Sequence, residues 1–403
     1  MKRKVLLIPM LAGLMLAASC SKDDGTSVAD EAITPSSEPA VEQPVVQKTY
    51  PLTIQAKKET SVSKIGLGTD GLSQLFESTD KLLLTDETSG TVYAELGLAS
   101  GENTTSATFS KELTESEKTS MSGKTIRAVI KGTDYADGIQ SSTSSLEDAV
   151  RKYCYLQATT TFTYTEGAES FEALTLADQR AYIAFTVADG QKQVSLKKSS
   201  DAEYTWKPVS TTEPKVWFAV SAGTYSSRLI NKTLTAEAGK VYNANSTKVV
   251  DLGPEWSILW KTTNETASPT SSFSKTEHTE YSGEKYYNWS AACAFGRESD
   301  EGYVKGSFRL PTQAEFEALA ALKQSGFATH NGMACKEFKS GYGSVFFPAA
   351  GSGGGDNAGS YGHYWSGESD GDRAVDLFFY SGYATVFSDD VIDGYSVRLV
   401  RGL

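Results

Sequence analysis

Histidine is nearly absent from this chain of 403 residues, with three, and cysteine is scarce, with four. They form no Cys-x-x-Cys, no His-Glu-x-x-His and no paired histidines, which removes the usual closed zinc sites and most nucleophile-plus-histidine catalysts. Basic charge is also in deficit. Lys and Arg number 38 against 50 Asp and Glu, a formal charge of -12, so the phosphate-neutralising surface that nucleic-acid binding requires is not expected. The apolar run from Val5 to Ala18 is too short to cross a bilayer as a permanent helix. These shortages point away from an enzyme, and no catalytic residue is assigned. What is present is length: at about 150 residues per domain the chain holds two or three.

Lys2, Arg3 and Lys4 before the apolar run make the layout of a signal peptide, so the mature chain is expected to be exported. The run closes on Leu16-Ala17-Ala18-Ser19-Cys20, which resembles a bacterial lipobox, with Leu16 one place earlier than usual; an ordinary secretory signal is the plainer alternative. The resemblance implies that residues 1–20 are a lipoprotein signal and that Cys20 is acylated, anchoring the chain to a membrane. Ser21, Lys22, Asp23 and Asp24 then resemble the surface-export signal of some Gram-negative outer-membrane lipoproteins. From 21 to 48 there are no aromatic residues, three prolines and an acidic excess, which reads as a disordered tether.

Past Lys48, short runs with period-two alternation predict antiparallel sheet. One group comprises Pro51 to Lys58, Lys81 to Thr85, Thr91 to Leu96 and Thr125 to Lys131, the last with Ile126, Ala128 and Ile130 on one face. A second comprises Tyr153 to Tyr164, Arg180 to Val187, Gln193 to Lys198, Lys215 to Ala222 and Leu234 to Tyr242. With a Ser-rich stretch between them, the expectation is mainly β: one sandwich over 49–150 and another over 151–252. The lipobox, tether, tandem β-domains and the phrase Leu234-Thr-Ala-Glu-Ala-Gly-Lys-Val-Tyr-Asn243 together resemble the fimbrillin family of type V fimbriae. That resemblance implies a pilus subunit whose N-terminal strand is trimmed by a protease, opening a groove that a neighbouring subunit's strand fills. The family often uses arginine there. None occurs between Arg3 and Arg127, so Lys57, Lys58 and Lys64 are the candidate trimming points.

From 253 to 403 glycine and aromatic residues increase, predicting a third, α+β domain. Trp256 to Trp260 reads as a strand and Tyr286 to Phe295 as a short amphipathic helix. Thr312 with Glu315 forms a capping box opening a second helix, with Phe316, Leu319 and Ala320 on one face. The ordered set Arg309-Leu-Pro-Thr-x-x-Glu315, Phe346-Phe-Pro-Ala-Ala-Gly351, Tyr364-Trp-Ser366 and Gly394-Tyr-Ser-Val-Arg-Leu-Val-Arg401 resembles a C-type-lectin-like family. That family is related to the formylglycine-generating-enzyme fold and to Fibrobacter paralogous repeats, so fold and function do not follow from each other. Catalysis of the formylglycine-generating type requires a late cysteine pair, and no cysteine follows Cys335.

The glycine-rich stretch from Gly351 to Asn357 lacks the Gly-Lys-Ser/Thr of a phosphate loop and reads as a recognition loop. Asp356, Asn357, Tyr361, His363 and Trp365 combine flat rings with hydrogen-bonding groups, as stacking on a sugar requires; Tyr364 and Trp365 read equally well as core. Glu368, Asp370 and Asp372 alternate as calcium ligands can, without a complete loop; no other metal or cofactor is expected. Cys293 and Cys335 could bridge, or could be buried thiols alongside Cys154. The expectation is therefore a surface-exposed outer-membrane lipoprotein, incorporated in fimbriae as a tip adhesin. Its partners would be other fimbrial subunits, the membrane through its lipid, and a host or bacterial glycan or protein. The chain ends inside a predicted domain, so it would accept a neighbour's strand more readily than donate one. The alternative is a solitary glycan-binding lipoprotein of a nutrient-uptake system.

Overall fold

A computed structural model describes residues 48–58, 63–64, 76–164, 173–230, 232–266, 278–281, 284–295, 308–353 and 355–403. Cys20, Ser21, Lys22, Asp23, Asp24 and the tether up to residue 47 lie outside them. The protein is mainly β, as the alternation requires. Thr49–Lys58 turns Tyr50, Leu52, Ile54, Ala56 and Lys58 inward, each at most 6% exposed, and Lys57 outward. It pairs along its length with Ser106–Thr114 and, through its last three residues, with Leu174–Asp178. That parallel contact closes seven strands into a barrel, in the order Thr49–Lys58, Ser106–Thr114, Val92–Ser100, Lys81–Asp86, Thr125–Lys131, Tyr155–Thr161 and Leu174–Asp178. Phe76, Leu82, Leu84, Leu96, Phe109, Ile126 and Leu156 fill it.

The barrel does not end near residue 150. The chain leaves it to lay Gln140–Ser142 on the edge of a second sheet, forms the helix Leu146–Tyr153, and returns for two more barrel strands. Ser145 caps that helix by accepting from the Asp148 N–H, and Ala149 and Val150 are its buried face. Strand and helix alternate across the expected boundary because neither sheet could be completed from one side of it.

The second sheet contains Lys240–Ser246, Arg180–Val187 and Lys215–Ser221 between two short edges. Its central run Ala-Tyr-Ile-Ala-Phe-Thr-Val is apolar on both faces because both are covered. Tyr182, Ala184, Trp217 and Ala219 pack on the barrel core, while Ile183, Phe185, Val216 and Phe218 pack against Val194, Leu196, Tyr225 and Ala236 of a further four-stranded sheet. This pair of sheets is the second sandwich. The run from Leu234 to Tyr242 divides into Leu234–Ala236 and Lys240–Ser246, turning at Gly239, whose φ of +70° suits glycine.

The second core continues into the C-terminal module through Leu259, Trp365, Tyr395, Val397 and Leu399. There Val249–Val250, Ile258–Lys261, Val400–Gly402 and Phe308–Arg309 form one sheet, bringing the two ends of the module together. Both halves of the Thr312–Glu315 capping box form, and Arg309 holds Glu315 with two hydrogen bonds of 2.8 and 2.6 Å. Phe316 and Leu319 are buried against Trp260 and Phe347. Only Trp289–Ala292 of the expected Tyr286 to Phe295 helix is helical. Glu284–Tyr287 is a strand, and Asn288 caps the helix by accepting from the Ala291 N–H. Arg398 is 1% exposed. Its guanidinium bonds Asn264 Oδ1, the Lys261 carbonyl and the Phe346 carbonyl, and lies 4.7 Å from the Phe347 ring centroid. The closing motif therefore carries an architectural arginine, whose buried charge carbonyl dipoles and the Phe347 ring help to stabilise.

Candidate recognition face

Three antiparallel strands, Tyr361–Asp370, Arg373–Tyr380 and Tyr383–Asp390, form a small sheet near the end of the chain. Alternation sends Leu377 and Phe379 into the core that contains Phe316 and Leu319. The other face carries Tyr361 and His363 from the first strand, Asp376, Phe378 and Tyr380 from the second, and Tyr383, Phe387 and Asp389 from the third. Tyr380, Tyr383 and Phe387 are 46%, 42% and 49% exposed. Tyr380 stacks on its cross-strand partner Tyr383 with centroids 5.1 Å apart. Phe378 links Tyr361, His363, Tyr380 and Phe387 at 4.7 to 5.9 Å. A cluster of exposed rings on one sheet face is uncommon on a protein surface, which makes this face the candidate recognition area.

The loop at one end of this face is shaped by Gly351, which has φ +77°. A Cβ there would stand 2.1 Å from the Asp356 carbonyl oxygen, so the close approach requires glycine. Gly351 N–H donates to the Tyr361 carbonyl at 2.7 Å and Gly359 N–H to that of Ala349 at 2.6 Å. The loop presents Asp356 and Asn357 to solvent, and Asn357 Nδ2 donates to the Tyr361 hydroxyl at 3.2 Å.

Beside the rings lies a charged group. His363 Nδ1 is 2.7 Å from Asp376 Oδ2 and 3.7 Å from Asp389 Oδ2, and its ring stacks on Tyr395 at 4.3 Å. The Tyr395 hydroxyl donates to Asp389 Oδ2 at 2.8 Å. Burial raises the Asp376 pKa above the ordinary carboxylate range, with His363 opposing. Burial, then Asp389 and Asp390, raises that of Asp393, and burial, then the Asp389 hydrogen bond, raises that of the Tyr395 phenol. The rim is thus acidic and partly dehydrated.

Asn357, Tyr361 and His363, all expected ligand groups, meet on this face. Trp365 does not. It is fully buried, donates from Nε1 to the Tyr287 carbonyl at 2.7 Å and packs on Tyr395, so stacking on a ligand is closed to it. Tyr364 is likewise core, its hydroxyl donating to the Pro348 carbonyl and accepting from Asn264. Glu368 and Asp372 are exposed and the Asp370 side chain lies outside the described atoms; among the described residues, His363, Asp376 and Asp389 form a group that could hold a metal ion.

The sequence reading missed Asp376, Phe378, Tyr380, Tyr383, Phe387 and Asp389. Their signal was alternation around the Ser381-Gly382 turn, with aromatic residues where a solvent face normally carries polar ones. Cys154, Cys293 and Cys335 are thiols, and no disulfide forms among the described residues. Cys335 is enclosed on the strand Met333–Lys339, whereas Cys293 caps the helix Trp289–Ala292 and packs on the second core. Lys57 lies within the first barrel strand, and Lys58 points inward, 3.3 Å from Asp80 and over the Phe76 ring. Lys64 lies in Ser63–Lys64, paired with Lys240–Ser246.

No family model and no curated protein matches the chain. Solved structures similar to it include the tip fimbrial protein Mfa3 from Porphyromonas gingivalis with C-terminal truncation. The identity is 10%, over 44% of this chain and 70% of that one, with a TM-score of 0.26. A fimbrial protein from Bacteroides ovatus ATCC 8483 covers 89% of this chain and 100% of its own at 10% identity and a TM-score of 0.24. The Bacillus anthracis TIE protein covers 49% and 34% at 12% identity and a TM-score of 0.18. At these TM-scores the likenesses carry no argument about what the chain does.

Proposed function

We propose that this chain is a cell-surface fimbrial subunit, a lipid-anchored tip adhesin whose C-terminal module binds glycan and whose role is attachment rather than catalysis. The observation that carries the binding reading is the cluster of exposed rings Tyr380, Tyr383 and Phe387, joined through the half-buried Phe378 to Tyr361 and bordered by Asn357 and Asp389. Rings offer flat apolar surface at low entropy cost, and the bordering side chains can pair with hydroxyl groups. The acidic rim repels sulfated or carboxylated sugars, so the ligand is a neutral or amino-sugar glycan.

Strand addition is supported by the first barrel strand. Its removal would leave Ser106–Thr114 without the partner it has along its whole length, and would empty the pockets filled by Leu52, Ile54 and Ala56. The segment Val400–Gly402 is paired on both sides and so is not itself a donor. The glycan face equally favours a solitary glycan-binding lipoprotein of a nutrient-uptake system, and immunogold labelling separates the two. Label at filament tips supports the adhesin; diffuse surface label supports the solitary lipoprotein. For the glycan, retention of the purified chain on immobilised neutral glycans should be lost in a Tyr380→Ala/Tyr383→Ala variant that melts like the parent. Retention equal to the parent's on every glycan retained would overturn the assignment of this face.

A further inference from the structure

We infer that His363, Asp376 and Asp389 form a binding site for a divalent transition-metal ion such as zinc. The inference stands on these three side chains and does not depend on the adhesive role. One nitrogen and two carboxylate oxygens lie within 4.8 Å of one another, with His363 Nδ1 2.7 Å from Asp376 Oδ2 and 3.7 Å from Asp389 Oδ2. Bonds of about 2.0–2.2 Å to one ion place ligand atoms roughly 3–3.5 Å apart, a spacing that the two His363 distances of 2.7 and 3.7 Å bracket.

A second observation points to the same place. Asp376 is 0% exposed, and its Oδ1 has no hydrogen-bond partner among the described residues. A wholly buried carboxylate with one oxygen unmatched is costly, and bidentate coordination to a cation, through Oδ1 as well as the Oδ2 that faces His363, would relieve that cost. The charge balance agrees. Asp376, Asp389 and Asp393 surround one imidazole, with Asp390 beside Asp393, and Arg373, 61% exposed, lies 3.8 Å from the far oxygen of Asp389.

The donor set selects the ion. Imidazole suits zinc better than calcium, and two carboxylates complete three protein ligands with a position left open. The ligands come from three adjacent strands, Tyr361–Asp370, Arg373–Tyr380 and Tyr383–Asp390, so the sheet pre-orders them. The Tyr395 hydroxyl bonded to Asp389 Oδ2, and the Tyr395 ring stacked on His363, orient two of the three from outside the shell.

The test uses the purified full chain stripped of metal by chelation. It is titrated calorimetrically with zinc chloride alone, and melted with and without it. The inference expects binding of one ion and a rise of several degrees in Tm. Asp389→Asn and His363→Gln should each weaken binding by about tenfold or more; without metal, Asp389→Asn should melt close to the parent, whereas His363→Gln, which removes the partner of the buried Asp376, should melt lower. Asp389 is partly exposed, so its variant is expected to fold; His363→Gln gives a second, independent reading. Absence of both heat and Tm shift would overturn the inference. So would affinity equal to the parent's in both variants, or a shift with calcium chloride and none with zinc.

Discussion

Arg228 and Asp251 join the second sandwich to the C-terminal module through two hydrogen bonds, Nε to Oδ2 at 2.7 Å and Nη2 to Oδ1 at 3.1 Å. Asp251 is fully buried and Arg228 nearly so. The same guanidinium donates to the Gly253 and Trp256 carbonyls, and Gln191 brackets the Asp251 backbone from the other side. A buried pair matched this fully contributes little relative to an apolar substitute, yet breaking it leaves an uncompensated charge, at a cost of about 3–5 kcal/mol. Asp251→Ala should therefore lower Tm sharply. Replacing both residues by apolar ones of similar volume should recover much of the loss, which a double-mutant cycle on thermal melts would measure.

Trp365 and Tyr383 should separate packing from recognition. Trp365→Ala removes a ring enclosed between Tyr287 and Tyr395 and should cost about 3–5 kcal/mol. Tyr383→Ala removes a ring that is 42% exposed and should change Tm little while weakening glycan retention. A thermal melt of each variant beside its glycan retention checks both; a marked loss of Tm in Tyr383→Ala would place that ring in the core.

How much of this was legible in the sequence depended on how regular each strand's inward face is. Thr125 to Lys131 was placed to the residue because Ile126, Ala128 and Ile130 alternate cleanly, and Arg180 to Val187 because both its faces are apolar. Ser106–Thr114 escaped notice because one of its four inward positions is Lys111 and another only Ala107, which flattens the pattern. The helix Leu146–Tyr153 was hidden by the Ser-rich stretch that caps it. At the candidate site, composition drew attention to the loop and to the Tyr-Trp-Ser motif. The rings of the last two strands come together through a register that only pairing reveals.

Glu315 should give the fold a measurable acid sensitivity. Burial raises its pKa, but hydrogen bonds from Arg309 and Thr312 outweigh that, leaving it below the ordinary carboxylate range. A depressed folded-state pKa means the contribution is complete above the unfolded value, about 4.3, and disappears as pH falls through the folded one. Tm should therefore fall more steeply between about pH 5 and 3 in the parent than in Glu315→Gln. Parallel Tm-against-pH curves for the two proteins would show that the Arg309 pair contributes nothing to this slope.

The first barrel strand supplies a test of strand exchange that depends on side-chain phase. Tyr50, Leu52, Ile54 and Ala56 occupy inward positions, while Pro51, Gln55 and Lys57 face out. Burying each large apolar side chain contributes about 1.5–3 kcal/mol, so Ile54→Ala should destabilise strongly and Gln55→Ala hardly at all. If the chain is cut between Lys58 and Ser63, Thr49–Lys58 is held by noncovalent contacts alone. A labelled peptide of sequence TYPLTIQAKK in excess should then exchange into the barrel. The same composition shifted by one residue should not, because a slip of one position turns every apolar side chain to solvent. Equal uptake of the two peptides, followed by fluorescence anisotropy, would mean that the groove does not read side chains and that the strand-addition account of assembly is wrong.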